Sequence, residues 1–208
     1  MNETIWTGNN FFTADLHLGH ANIIKYLNRP FMTGEEQQAC DECRTVGLSL
    51  KPIKLSDETC QRHNDTIINN INSVVGKDDI LWVLGDFAFG RTREEIAQWL
   101  RRINCHRVRL IKGNHDSRES LDLFGLYPDM LEIWVQNQPI VMCHYAMRTW
   151  NKSHYGSWHL YGHSHGQLPE DQSLSFDVGV DAHDFKPWSF EEIAAKMQQK
   201  AAMRCENS

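Results

Sequence analysis

The sequence predicts an α/β fold in which two mixed sheets pack together and helices flank them. Strand-like apolar runs alternate with helix-like segments over the first half of the chain, the pattern of βαβ units. From residue 131 onward, short strands follow one another through turns, the pattern of hairpins. At 208 residues the chain is long enough to bury a substantial core in one domain. We read 1–208 as that domain, with a polar insert at about 31–62.

The elements follow in order. The first strand is 10–14, Asn10-Phe11-Phe12-Thr13-Ala14. A short helix over 22–27 stops before Arg29-Pro30, since the residue before a proline is pushed out of the helical region. Residues 31–56 read as irregular and polar, with Gly34, Gly47 and Pro52. Ile67, Ile68, Ile71, Val74 and Val75 recur at helical spacing and predict a helix over 57–75. Gly76-Lys77-Asp78-Asp79 turns the chain into a fully apolar strand, 80–84. Thr92 and Glu95 form a capping-box pattern that opens a helix to about residue 103. A strand over 108–112 follows, and the pattern then fades until 131–135. Asn137-Gln138-Pro139 turns that strand back into 140–143. Strands 158–161 and 174–180 come next, and Ser189 with Glu192 caps a C-terminal helix. The chain shows no internal repeat and no low-complexity tract.

Hydrophobic content of 41% and charged content of 23% are ordinary for a soluble globular protein. The net charge of −6 counts against a long nucleic-acid groove, which needs a basic stripe. It leaves room for a small phosphorylated substrate, because bound cations reverse the local field. No apolar run reaches the length of a membrane span, and Met1-Asn2-Glu3-Thr4 lacks the basic-then-apolar pattern of an export signal. The expected compartment is the cytoplasm. The six cysteines, Cys40, Cys43, Cys60, Cys105, Cys143 and Cys205, are then expected as thiols or metal ligands rather than disulfides.

The chemistry lies in five polar clusters, each behind a predicted strand: Asp15-Leu16-His17, Gly85-Asp86, Gly113-Asn114-His115-Asp116, His144, and Gly162-His163-Ser164-His165. Any one of them alone is an ordinary turn. All five in order, each behind a strand, deliver nitrogen and oxygen donors to one sheet edge, as a two-metal hydrolytic centre requires. Asp86 stands alone after a strand and a glycine, and is the natural bridge between two cations. Asp15 and His17 can chelate one ion from one turn. His163 and His165 have the same spacing and can reach either ion. Asn114 offers a carbonyl oxygen and His144 another imidazole.

These residues resemble the calcineurin-like metallophosphoesterase superfamily, whose pattern is D-x-H, G-D, G-N-H-D/E, H and G-H-x-H. All five elements stand complete here, over residues 11–165. Asp15-Leu16-His17-Leu18-Gly19-His20-Ala21-Asn22-Ile23-Ile24, Leu84-Gly85-Asp86-Phe87-Ala88 and Asp177-Val178-Gly179-Val180-Asp181 are closest to a small, single-domain bacterial and phage branch, and carry the likeness to about residue 190. The resemblance implies a four-layer α/β/β/α sandwich. It implies Asp15, His17, Asp86 and His165 on a first metal, and Asp86, Asn114, His144 and His163 on a second. It places His115 toward the substrate, where it stabilises charge or protonates the leaving oxygen, with Asp116 as the acid that orients it. The implied reaction is in-line attack on phosphorus by a metal-bridging hydroxide. Such donors suit Mn²⁺, Fe, Zn²⁺ or Ni²⁺.

Other residues admit two readings. His20 is either a polar residue at a helix start or a substrate contact. Arg148, with Trp150, Asn151 and Lys152, follows His144 and could bind phosphate and a base, or simply belong to the core and surface. Asp181 and His183 either support a ligand or occupy a turn. Cys40 and Cys43, with Cys60 and His63, have the paired spacing of a structural zinc clip around the polar insert; alternatively the cysteines are buried and His63 points to the active site. The leading expectation is a phosphoesterase acting on a small soluble ester: a phosphodiester, cyclic nucleotide or phosphomonoester. The alternative is a metal-dependent nuclease, against which the acidic balance weighs. A non-catalytic scaffold is disfavoured, because such proteins lose ligands and this chain keeps them all together with His115.

Overall fold

The computed structural model describes residues 8–90 and 92–206, and side chains as far as Met203. Met1-Asn2-Glu3-Thr4 and the Cys205 side chain lie outside the described residues.

Two four-stranded mixed sheets pack face to face, flanked by helices, as expected. The first is built from β1 (Asn10–Thr13), β2 (Ile80–Leu84), β3 (Arg107–Ile111) and β8 (Trp188–Ser189), in the order β3-β2-β1-β8. β1, β2 and β3 run parallel, and β8 pairs antiparallel to β1. The second contains β4 (Met130–Val135), β5 (Gln138–Cys143), β6 (Trp158–Tyr161) and β7 (Ser175–Asp177), in sequence order. β4 and β5 are the predicted hairpin, while β5, β6 and β7 are parallel. The predicted strand 174–180 is shorter than expected and passes into a 3-10 turn over Val180–Ala182.

The strand period divides β2 between two cores. Ile80, Trp82 and Leu84 face Ile140, Met142, Leu160 and Phe176 of the second sheet. Leu81 and Val83 face Ile67, Ile68 and Ile71 of α3 (Asp57–Val74) and Ile96 of α4 (Arg93–Arg101). α6 (Phe190–Glu206) adds Phe190, Ile193 and Met197 to the inter-sheet core. Its start carries the predicted capping box, with Ser189 N–H donating to Glu192 and Glu192 N–H donating to Ser189 Oγ. α1 spans Ala21–Tyr26, and a single turn, α5, spans Arg118–Leu121.

The insert departs from expectation. Residues 31–56, read as irregular, contain the helix α2 (Gly34–Thr45). Its capping box, Thr33 with Glu36, stood in the sequence. Cys40 is its only buried residue, so the helix carries no apolar stripe in the sequence. Glu36 joins it to α3: its carboxylate accepts from Thr33 N–H at 2.9 Å, Ser56 N–H at 2.6 Å and Thr59 Oγ1 at 2.6 Å.

Candidate metal centre

The five clusters lie just past the C-terminal ends of β1, β2, β3, β5 and β6. The donors therefore converge from two sheets, not from the edge of one as the sequence suggested. Backbone pairing continues beyond the strands and locks the turns together. Asp15 N–H donates to Gly85 O at 3.1 Å, His17 N–H to Asp86 O at 2.9 Å, and Gly162 N–H to His144 O at 3.0 Å. An Ala14–Gly179 bridge ties the two sheets beside these turns.

The turns are strained where the donors sit. Asp15, His17, Asp86, His163 and His165 all have left-handed backbones, with φ of 58°, 49°, 57°, 66° and 50°. Each such residue costs on the order of 1–3 kcal/mol, and clusters of them mark functional sites. Close packing also demands glycine. A Cβ on Gly113 would lie 2.3 Å from Asp86 Oδ1 and 2.5 Å from Asp86 N. Gly85 has φ of +94°, and a Cβ there would lie 2.3 Å from His144 Nδ1.

Asp86 is the centre of the arrangement. Its Oδ1 accepts from His115 N–H at 2.9 Å. Its Oδ2 lies 3.4 Å from His17 Nε2 and 3.6 Å from His144 Nε2. His144 Nδ1–H donates to Leu84 O at 2.8 Å, since that carbonyl can only accept. Nε2 lies 2.9 Å from the Asn114 Oδ1 carbonyl oxygen, which sets two of the expected donors side by side. Burial first, and then the Arg29 guanidinium, hold His17 far below the usual imidazole range, so its ring is neutral.

Three observations show that these residues suit cations. Asp15 Oδ1 and His17 Nε2 are buried without a hydrogen-bond partner. Burial, then the carboxylates of Asp177 and Asp86, push the Asp15 carboxyl well above its usual range, a repulsion that positive charge would relieve. Finally, two donor sets lie within 4.8 Å: Asp15, His17 and His165, and Asp15, Asp86 and His144.

A supporting shell holds the donors. Asp15 Oδ2 accepts from His163 N–H at 2.8 Å. His165 Nδ1–H donates to Asp181 Oδ2 at 2.8 Å, which leaves Nε2 free, the arrangement found behind metal-binding histidines. Asp181 thus supports a predicted ligand. His183 does not: its ring stacks on Trp188 at 3.8 Å. Asp177 accepts from Gly166 N–H at 3.0 Å and Gly179 N–H at 2.7 Å, bracing the Gly-His-Ser-His turn.

Asp116 requires a correction. Its carboxylate does not orient the His115 ring; it accepts from Asp86 N–H at 3.0 Å, Phe87 N–H at 3.0 Å and Gly113 N–H at 2.8 Å. It fastens the Asp86 turn to the Asn114 turn. His115 itself is exposed, with its ring 5.6 Å from that of His17 and 5.3 Å from that of Phe89.

His20 is engaged with a predicted ligand. Its Nδ1 lies 3.3 Å from His17 Nδ1, and its ring stacks on Phe89 at 3.8 Å. Tyr145 is exposed, its ring 4.7 Å from that of His163. Phe89 and Tyr145 were passed over in the sequence, where each reads only as the aromatic after a strand and turn. Arg148 is exposed on the loop after His144. Its neighbours are occupied elsewhere: Trp150 Nε1–H donates to Ser157 O at 3.1 Å, Asn151 to Glu132 at 2.9 Å, and Lys152 lies over Trp134.

The fold does not gather the four residues of the expected zinc clip into one donor set. Among the described residues, no group of three metal donors includes Cys40, Cys43, Cys60 or His63. Both ring nitrogens of His63 are engaged, Nε2 with Arg29 Nη1 at 2.7 Å and Nδ1 with Asn64 Oδ1 at 3.0 Å. Burial pushes the Cys40 and Cys60 thiols up, away from the thiolate that zinc requires.

The profile of the calcineurin-like phosphoesterase superfamily domain matches residues 59–178, and the chain belongs to that superfamily. Membership places it among the metal-dependent phosphoesterases. Over 203 residues it is 26% identical to the uncharacterized protein MJ1445 of Methanocaldococcus jannaschii, covering 95% of this chain and 96% of that one. The Gene 66 protein of Mycobacterium phage L5 is 32% identical over 126 residues, which cover 57% of this chain and 47% of the phage protein. In structure it is similar to the protein of unknown function AQ665 from Aquifex aeolicus, with a TM-score of 0.62, 21% identity, and coverage of 91% of this chain and 99% of the other. That likeness is one of fold. No described helix is long and apolar enough to cross a membrane.

Proposed function

We propose that this chain is a dinuclear phosphoesterase acting on a small phosphate ester, a phosphodiester, cyclic nucleotide or phosphomonoester, in the cytoplasm. Asp15, His17, Asp86 and His165 would hold one divalent cation, Mn²⁺ foremost, and Asp86, Asn114, His144 and His163 the other. The observation that carries this reading is the position of Asp86 Oδ2, which lies 3.4 Å from His17 Nε2 and 3.6 Å from His144 Nε2. One carboxylate oxygen between two imidazole nitrogens, with His17 Nε2 buried and unpartnered, suits a bridge between two cations.

Bound cations would neutralise phosphoryl oxygens and acidify a water at neutral pH. The chain's own residues supply the rest. Asp116 and the Asp86–His115 hydrogen bond hold the His115 backbone against the centre. The exposed His115 ring would meet the ester oxygen that leaves and give it a proton. Phe89 stacks on His20, and Tyr145 lies against His163, so aromatic rings stand beside expected ligands of each metal. Such rings suit contact with a small ester.

The test is an activity screen on protein reconstituted with Mn²⁺. It compares p-nitrophenyl phosphate, bis-p-nitrophenyl phosphate, cyclic nucleotides, nucleoside polyphosphates and single-stranded DNA. Turnover of small esters, abolished by chelator, is expected. Turnover confined to DNA would replace this reading with a nuclease.

A further inference from the structure

Arg29 is a fully buried cation, 1% exposed, and its sequence context showed only a helix stop before a proline. Its guanidinium spends its donors on four partners. Nε donates to Asp181 Oδ1 at 2.8 Å and Nη2 to Asp181 Oδ2 at 2.7 Å, a bidentate pair. Nη2 also donates to Asp15 O at 2.9 Å, and Nη1 reaches Leu16 O at 3.4 Å. Nη1 further donates to His63 Nε2 at 2.7 Å. His63 Nδ1–H in turn donates to Asn64 Oδ1, which also accepts from Gly19 N–H at 3.0 Å. The ring of Phe185 lies 5.7 Å from the guanidinium carbon.

The pattern is one-sided. Asp181 accepts from His165 Nδ1–H, so a single planar group ties His165 to the backbone of the Asp15-Leu16-His17 turn. Helix α3 backs the arrangement through His63 and Asn64. These contacts reach the segments that carry Asp15, His17 and His165. Among the described residues, no hydrogen bond of Arg29 goes to Asn114, His144 or His163. A buried Arg–Asp pair is weak evidence for stability as such, because desolvation offsets much of the attraction. A geometric role explains its place better.

We propose that Arg29, acting through Asp181, is a positioning residue for one of the two metal positions, the one formed by Asp15, His17, Asp86 and His165, and leaves the other untouched. The inference rests on the dinuclear reading above. The rigid guanidinium fork sets the distance between two ligand turns that are far apart in sequence. A lysine, with its point charge, cannot span Asp181 and the Asp15 carbonyl in the same way. Outer partners of this kind contribute ~10–100-fold to metal affinity.

The experiment is Mn²⁺ titration of metal-free protein, followed by calorimetry and by the electron paramagnetic resonance of free Mn²⁺. Wild type, Arg29→Lys, Asp181→Asn and His63→Gln are compared. In Arg29→Lys and Asp181→Asn, one of the two Mn²⁺ equivalents should weaken ~10–100-fold while the other keeps wild-type affinity. His63→Gln should have a smaller effect of the same sign. Added Mn²⁺ should restore turnover with the ester KM unchanged, which a general loosening of the site would not do. Should Arg29→Lys fail to fold, Asp181→Asn decides, since it keeps the buried guanidinium and removes the charge that holds His165. Variants that bind both equivalents as tightly as wild type, or lose both together, would overturn the role of Arg29 alone. Wild-type protein that takes up a single equivalent would overturn the dinuclear reading and this proposal with it.

Discussion

Replacing Asp86 with asparagine should move stability in opposite directions with and without metal. In the metal-free protein, Asp86 Oδ1 accepts from His115 N–H, and Oδ2 lies near two imidazole nitrogens, one of which, His17 Nε2, has no partner. Asparagine can keep its oxygen on His115 and turn its amide nitrogen toward His17 Nε2, an acceptor in the Nδ1–H tautomer of that ring. It also removes a negative charge that helps push up Asp15. A buried acceptor that gains a donor is worth about 1–3 kcal/mol. The metal-free variant should therefore melt higher than the metal-free wild type by roughly 2–4 °C per kcal/mol for a chain of this size. With Mn²⁺ the order should reverse. At a hundred times its dissociation constant, each bound ion stabilises wild type by about 2.7 kcal/mol, or roughly 5–11 °C per site. The variant loses the shared oxygen and most of that gain. Differential scanning calorimetry of both proteins, metal-free and in saturating Mn²⁺, reads all four melting points. A metal-free Asp86→Asn that melts below wild type, or one that still takes up two tight equivalents, would refute the reasoning.

Two further outcomes follow from the same geometry. His115→Ala should retain both metals, because its side chain is exposed and only its backbone holds Asp86, yet lose hydrolysis by ~10²–10⁴-fold. The loss should shrink for p-nitrophenyl leaving groups; equal losses for alkyl and p-nitrophenyl esters would point to electrostatic help instead. In the insert, Glu36→Gln should speed proteolysis within 31–62, whereas Cys43→Ser should not, since the Glu36 carboxylate joins α2 to α3. Burial works to raise the Glu36 pKa, but hydrogen bonds from Thr59, Ser56 and Thr33 outweigh it and bring it to about 2. A lowered carboxyl stabilises the fold above its unfolded value and loses that contribution as pH falls. The gap between wild type and Glu36→Gln should thus be full at neutral pH and close as pH drops through about 2. Faster cleavage in Cys43→Ser with Glu36→Gln unchanged would restore the zinc clip.

By itself the sequence determined the five polar turns and every strand but the two-residue β8, which is too short to leave a pattern. Ile80 to Leu84 are apolar throughout because β2 is covered on both faces, and such runs carry their own signature. Asp15, His17, Asp86, Asn114, His144, His163 and His165 were legible because each stands directly behind such a run, and a local spacing survives in any one-dimensional reading. Helix α2 was written in its capping box but not in its periodicity, as its one buried side chain makes no stripe. What only the tertiary structure decided were the long-range pairings. Arg29 meets Asp181 across 152 positions, and Asp116 grips the Asp86 turn instead of its neighbour His115. His63 shares the spacing of a zinc ligand with Cys60, but the fold sets the Arg29 guanidinium 2.7 Å from its Nε2. A spacing records which side chains a short turn can bring together. It holds no record of the partner that a distant strand or helix will set against them, and for buried charged groups that partner decides the role.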